Sequence, residues 1–237
     1  MSYMIKIVLM WFCFASTVEG MSHKIDRAFK LIFWGAEFGV FRVEGEIVDN
    51  EYIVSTNASG NSIISLFSKY EISSGAFGSI DNRGKLIPIH SLSRWSNRGN
   101  SKQTKLSYQD GNLTGFESSP DLNKEYHIQN PIGIGNTIDP VSLVVWLLLK
   151  RKEPQLCQDK LMILDGFRMS ELIFENKKIL KNSIVCLGVI KRVDGFKGSD
   201  FNKKNLKFKI MYSPTDADRF EVSNVEIQTI FGKIILM

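Results

Sequence analysis

One stretch, residues 137–166 (TIDPVSLVVWLLLKRKEPQLCQDKLMILDG), limits the fold more than any other part of the chain. Asp139 stands where a helix needs an N-terminal cap, and Pro140 then takes the first helical position, where its missing N–H costs nothing. Pro154 stops the pattern at the other side, behind Lys150, Arg151 and Lys152, whose charges suit a helix C-terminus. The spacing predicts a helix over residues 140–151. Only Ser142 interrupts its apolar run up to Leu149, so the helix is greasy nearly all round and has to be buried on most sides. It is too short to cross a bilayer, which takes ~20 apolar residues. Its expected place is the centre of a curved sheet. Core packing is the ordinary role of such a helix; the alternative role is lining an apolar ligand groove, for which Val144, Trp146, Leu147 and the distant Trp34 are the candidate residues.

Short β segments surround this helix. Residues 38–48 (FGVFRVEGEIV) alternate with period two, setting Phe41, Val43 and Gly45 on one side. Turn signals recur about every ten residues: Asp49-Asn50, Asn82-Arg83-Gly84, 97–100 and Asp110-Gly111. Pro88 makes its strand an edge, or one that begins late. Residues 63–67 are a short helix or strand end. Residues 118–136, with two prolines and two glycines, form a long loop over the barrel mouth. After the helix, 160–164 and 168–175 are strands around an Asp165-Gly166 turn, with Asp165 and Arg168 also able to pair at a cavity rim. A strand over 179–191 carries Cys186, 194–205 is polar, and the apolar C-terminus is pinned in the sheet. The fold class is mainly β: a strongly curved antiparallel sheet or open barrel wrapped around one central buried helix. With no repeat and no linker, residues 21–237 form a single domain.

Residues 1–20 read as a secretory signal. Lys6 precedes an apolar run at 7–15, and Val18-Glu19-Gly20 offers a cleavage site. The expected location is the periplasm, the alternative being an uncleaved anchor in the inner membrane. Cleavage removes Cys13 and leaves Cys157 and Cys186, an even count that favours a disulfide in an oxidising compartment; two separate buried thiols are the alternative. The net charge of +5 is spread through Asn- and Ser-rich segments without an aromatic-interleaved basic stripe, which argues against nucleic-acid binding.

Chemistry-bearing patterns are sparse. His23, His90 and His127 have no metal-ligand spacing with one another or with cysteine. The chain holds no Gly-x-Ser-x-Gly elbow, His-Glu-x-x-His helix or P-loop. The reading is therefore a non-enzyme without metal or cofactor. A hydrolase would need His90 or His127 buried beside an acid and a hydroxyl.

Several motifs occur in a familiar order: Phe33-Trp34-Gly35, Gly39 to Val43, Tyr52, Leu66-Phe67, Asp139-Pro140-Val141-Ser142, Cys157, Asp165-Gly166-Phe167-Arg168, Cys186 and Thr229-Ile230-Phe231-Gly232. In that order the chain resembles the exported proteobacterial family called domain of unknown function 3108, especially its alphaproteobacterial members. The resemblance implies a periplasmic, mostly β protein, similar in shape to the half-barrel lipoprotein carriers. The expected function is that of an exported envelope protein binding a lipid, an acyl chain or an envelope partner in an apolar groove, and not integral to the membrane after cleavage. The alternatives are a scaffold with a filled core and a hydrolase.

Overall fold

The computed structural model describes residues 22–60, 70–97, 100–120, 128, 130–196, 205–215, 218–229 and 232–237. The signal-like segment, residues 63–67, His127 and most of the 194–205 stretch lie outside the described residues.

The first half is a meander of long antiparallel strands: β1 (His23–Phe33), β2 (Ala36–Val48), β3 (Glu51–Gly60), β4 (Tyr70–Ile80), β5 (Leu86–Asn97), β6 (Asn100–Gln109) and β7 (Asn112–Ser119). Its tight turns follow local chemistry. Asp49-Asn50 and Asp110-Gly111 both adopt the left-handed conformation at their two central positions, as a two-residue hairpin requires. β8 (Thr137–Ile138) then leads into the helix α1 (Pro140–Leu148). The second half is another meander: β10 (Lys160–Leu164), β11 (Met169–Leu180), β12 (Ser183–Asp194), β13 (Leu206–Pro214), β14 (Arg219–Thr229) and β15 (Gly232–Leu236). Between α1 and β10 lie the short β9 (Arg151–Lys152) and a 3₁₀ turn at Glu153–Gln155.

The two meanders make one sheet in the order β7-β6-β5-β4-β3-β2-β1-β15-β14-β13-β12-β11-β10-β8, with β9 attached to β14. Its middle seam is the pairing of the first described strand with the last, Leu31 opposite Leu236, extended by Lys30 N–H to the Met237 carbonyl. The apolar C-terminus is thus pinned as expected. All pairings are antiparallel except β8 with β10. The far edges approach one another: Leu113 N–H on β7 bonds the Ile134 carbonyl and Gly133 N–H bonds the Leu113 carbonyl, just before β8 begins. The result is a nearly closed, barrel-shaped sheet.

Three expectations need correction. The helix ends at Leu148, so Lys150, Arg151 and Lys152 do not occupy its last turn. Arg151 and Lys152 instead pair with Phe220 and Arg219. Pro88 does not make β5 an edge strand, because β5 pairs on both sides; its pairing with β6 starts only at His90, beyond the proline. The strand read over 179–191 is broken by a turn at Lys181-Asn182, which joins β11 to β12.

Asp139 caps α1, accepting from the N–H groups of Val141 and Ser142, and Pro140 opens the first turn. Val141, Ser142, Val145 and Trp146 are buried; the other helix residues, apart from exposed Pro140, are half-buried. α1 touches β3, β4 and β5 of the first meander and β10 and β14 of the second. Leu143, Leu147 and Leu148 pack against two core clusters, one around Val43, Tyr52 and Val145, the other around Cys186, Ile210 and Tyr212. Cys157 and Cys186 form a disulfide, tying the segment after α1 to β12, with Cα atoms 5.3 Å apart. No helix of the described residues is long and apolar enough to cross a membrane, a statement that does not bear on strands.

Candidate functional site

Two clefts share α1 as a wall. The larger, about 890 Å³, lies between the β4–β5 turn and the segment from the end of α1 into β10. Its apolar surface includes Leu86, Ile138, Trp146, Leu149 and Leu161. Five basic side chains line the same cleft, Arg83, Lys85, Lys150, Arg151 and Lys160, against two acids, Asp159 and Glu171. Both acids are already engaged, Glu171 with Lys160 at 2.6 Å and Asp159 with Arg151 at 3.6 Å. Among the described residues no carboxylate pairs with Arg83, Lys85 or Lys150; Lys85 reaches only the amide oxygen of Asn136, at 3.4 Å.

Arg151 is the unusual member. Its side chain is only 10% exposed. The guanidinium lies over the Trp146 ring, 3.7 Å from the centroid, and donates to the Trp146 carbonyl. That carbonyl is freed by the end of α1, so the arginine closes the helix by folding back over its own last turn. Burial pulls its pKa below the ordinary value, against the opposing influence of Tyr212 and Asp159. The hydroxyl of Tyr212 is itself buried without a partner among the described residues.

The second cleft, about 430 Å³, opens on the other side of α1, with Phe41, Val141, Val144, Trp95, Leu106 and Phe167 among its lining. Asp165 and Arg168 stand in its wall and pair at 2.9 Å, while Asp165 also accepts the N–H groups of Phe167 and Arg168. The two readings of this pair, turn former and rim ion pair, hold together.

The candidate groove residues are therefore not one surface. Val144 lines the second cleft and Trp146 the first. Leu147 lines neither and packs into the core. Trp34 stands in the β1–β2 turn, 78% exposed and stacked on Phe33. His90 is exposed, with its Nδ1 3.2 Å from the Ser107 hydroxyl. Among the described residues no group of three or more His, Cys, Asp and Glu side chains could hold a metal ion.

Sequence reasoning missed a buried polar cluster at the start of α1. Asp139 is 0% exposed. Ser142 donates its hydroxyl to Asp139 Oδ2 at 2.5 Å, and the Tyr52 hydroxyl lies 2.7 Å from Ser142 Oγ. When Asp139 is ionised it only accepts, and Tyr52 then donates in turn to Ser142. Burial pushes the Tyr52 phenol up, and the nearby Asp139 charge adds to this. Burial likewise raises Tyr108, with Asp139 the next cause. The hydroxyls of Tyr108 and Thr137 are close neighbours, yet neither completes a hydrogen bond with a partner among the described residues. The Asp-Pro cap was the only member with a sequence signal. Asp139 and Ser142 are fully buried, which makes the group a joint between helix and sheet. Thr137 alone of these residues lines the larger cleft.

The chain matches no family model, no curated protein and no solved structure.

Proposed function

We propose that this chain is an exported cell-envelope protein that binds an acyl-bearing ligand without transforming it, with the sheet wrapped around α1 as the frame of the groove. The observation that carries the reading is the 890 Å³ cleft beside α1, whose floor includes Ile138, Trp146 and Leu161. Ligand pockets commonly span ~300–1,000 Å³ and combine an apolar lining with a few polar groups. The Cys157–Cys186 disulfide supports export, since such bonds persist in oxidising compartments. It agrees with the signal-like residues 1–20 and with the resemblance to the exported family of domain 3108.

The test is purification of residues 21–237 from the periplasm of an expressing host, followed by native mass spectrometry and lipid extraction. Co-purifying acyl chains that are lost in Leu149→Glu, with the circular dichroism spectrum unchanged, are the expected result. Leu149 is half-buried, lines the cleft and packs against the core around Val145, so the unchanged circular dichroism spectrum is the control that separates a spoiled lining from lost folding. A clean apo mass that takes up no lipid on reconstitution would overturn the reading.

A further inference from the structure

The larger cleft carries more information than its apolar floor. Its cations outnumber its acids five to two, and both acids are engaged by Lys160 and Arg151. Rim lysines alone would be an ordinary solvated surface, but Arg151 is not at the rim. A guanidinium offers five N–H donors in a planar fork that matches carboxylate or phosphate oxygens. Here one hydrogen bond, to the Trp146 carbonyl, is made among the described residues, and the Asp159 carboxylate stands 3.6 Å away, beyond hydrogen-bonding distance. Asp159 balances part of the guanidinium charge, but the remaining N–H groups of the fork have no acceptor among the described residues. Thr137 lines the same cleft but is 3% exposed, and its hydroxyl faces that of Tyr108, so it belongs to the joint at the start of α1. Charge and an underused fork therefore border the same space as an apolar floor.

We infer that the larger cleft takes an anionic lipid with a phosphate headgroup, the anion held by Arg151 and the Lys85 and Lys150 ammonium groups and the chain lying along Ile138, Trp146 and Leu161. The inference rests on the acyl-binding reading above and names the ligand class for it. Arg151 supplies the directional bonds, stacked in place by Trp146, and the lysines add attraction that salt weakens.

Isothermal titration of the disulfide-bonded chain with three probes tests this: dodecyl phosphate below its critical micelle concentration, uncharged monolaurin of the same chain length, and inorganic phosphate. Dodecyl phosphate is expected to bind one to one, about tenfold or more tighter than monolaurin, with inorganic phosphate showing no measurable heat. Lys85→Glu/Lys150→Glu changes exposed side chains, so the fold is retained; it should weaken dodecyl phosphate about tenfold, far more than monolaurin. Arg151→Met, which keeps a flexible apolar stem over Trp146, should weaken dodecyl phosphate as well. Equal binding of dodecyl phosphate and monolaurin, indifferent to these variants, overturns the headgroup assignment while leaving the acyl groove standing. Binding of neither amphiphile overturns both. Inorganic phosphate binding as tightly as dodecyl phosphate would make the cleft a site for the free anion and overturn the lipid.

Discussion

The hydroxyl of Tyr52, on β3, lies 2.7 Å from that of Ser142, on α1, two groups ninety residues apart and both shut off from solvent. The contact fastens the helix start to the first meander. It is also why Gly78 is glycine: a Cβ there would stand 2.5 Å from the Tyr52 hydroxyl and 2.5 Å from the Ile87 carbonyl oxygen. Ser142 is bonded to both Tyr52 and Asp139, so the two possible deletions are unequal. Tyr52→Phe removes one donor and leaves Ser142 bonded to Asp139, a loss of about 1 kcal/mol. Ser142→Ala strands the Tyr52 hydroxyl and one Asp139 oxygen in the interior, a loss of about 2–3 kcal/mol. Urea unfolding of both variants checks the order, and a larger loss in Tyr52→Phe than in Ser142→Ala would contradict the place of Ser142 as the bridge between the two.

The buried Asp139 makes a second prediction, about pH. Burial lifts its carboxyl above the ordinary carboxylate value and outweighs the bonds from Ser142 and Val141 that pull the other way. The folded chain therefore holds this proton at pH values where the unfolded chain has released it. The contribution of the group to stability is full below the unfolded value, ~3.9 for Asp. It falls as pH rises towards the raised folded value. Asp81, held low by the Lys85 N–H, and Glu226, held low by Lys209, act oppositely, losing stability as pH falls. Asp139→Asn keeps a cap acceptor and does not titrate. The stability of Asp139→Asn relative to the wild type should rise as pH climbs above the unfolded value of ~3.9 for Asp. A difference that stays flat above that value, measured by urea unfolding at each pH, would rule out a raised Asp139.

Much of the frame was legible because it is local. Asp139-Pro140 announces the helix start, Asp110-Gly111 a hairpin, and the alternation through Val43 the inward face of β2. What escaped depends on distant partners. Nothing in the run from Leu147 to Lys152 marks Leu148 as the last helical residue, because Arg151 leaves the helix to pair with Phe220 and cover Trp146. Lys181-Asn182 offers a single turn-favouring residue, Asn182, inside an otherwise strand-like run. Tyr52, Tyr108, Thr137 and Ser142 are unremarkable one by one, and only the contact of the helix start with strands distant in sequence gathers them. The groove residues were half legible for the same reason. An apolar helix face implies neighbours, but which cleft each side chain enters is decided by the strands on either side.

The disulfide yields a third prediction. It closes a loop of 29 residues in sequence separation, and Cys186 is fully buried in the cluster with Ile210 and Tyr212. In the chain-entropy account a loop of this length contributes about 3–4 kcal/mol by restricting the unfolded chain. Cys157→Ser/Cys186→Ser should lose about that much, plus a smaller amount for a buried hydroxyl at 186. Reduction of the wild type should lower stability to a similar extent without the second contribution. Reducing and non-reducing mass analysis of chain recovered from the periplasm checks the bond itself, and free thiols at both positions would rule it out.

Trp34 supplies the last prediction, because its position is poor for folding. The β1–β2 turn sets Trp34 and Gly35 at φ of 51° and 79°, left-handed at both centres. Such a turn is at ease with Asn-Gly and strained with a bulky first residue. The indole recovers something by stacking on Phe33, with ring centroids 4.9 Å apart, but it remains 78% exposed. An exposed stack is worth about 0.5 kcal/mol, the low end for aromatic pairs. The backbone penalty for an L-residue in this region is about 1–2 kcal/mol, of which Asn, bonding locally, escapes much. Trp34→Asn should therefore stabilise the chain by about 0.5–1 kcal/mol, the difference between these two effects. Thermal and urea unfolding give the sign directly. A loss of stability would mean that the indole holds the hairpin through contacts stronger than the Phe33 stack.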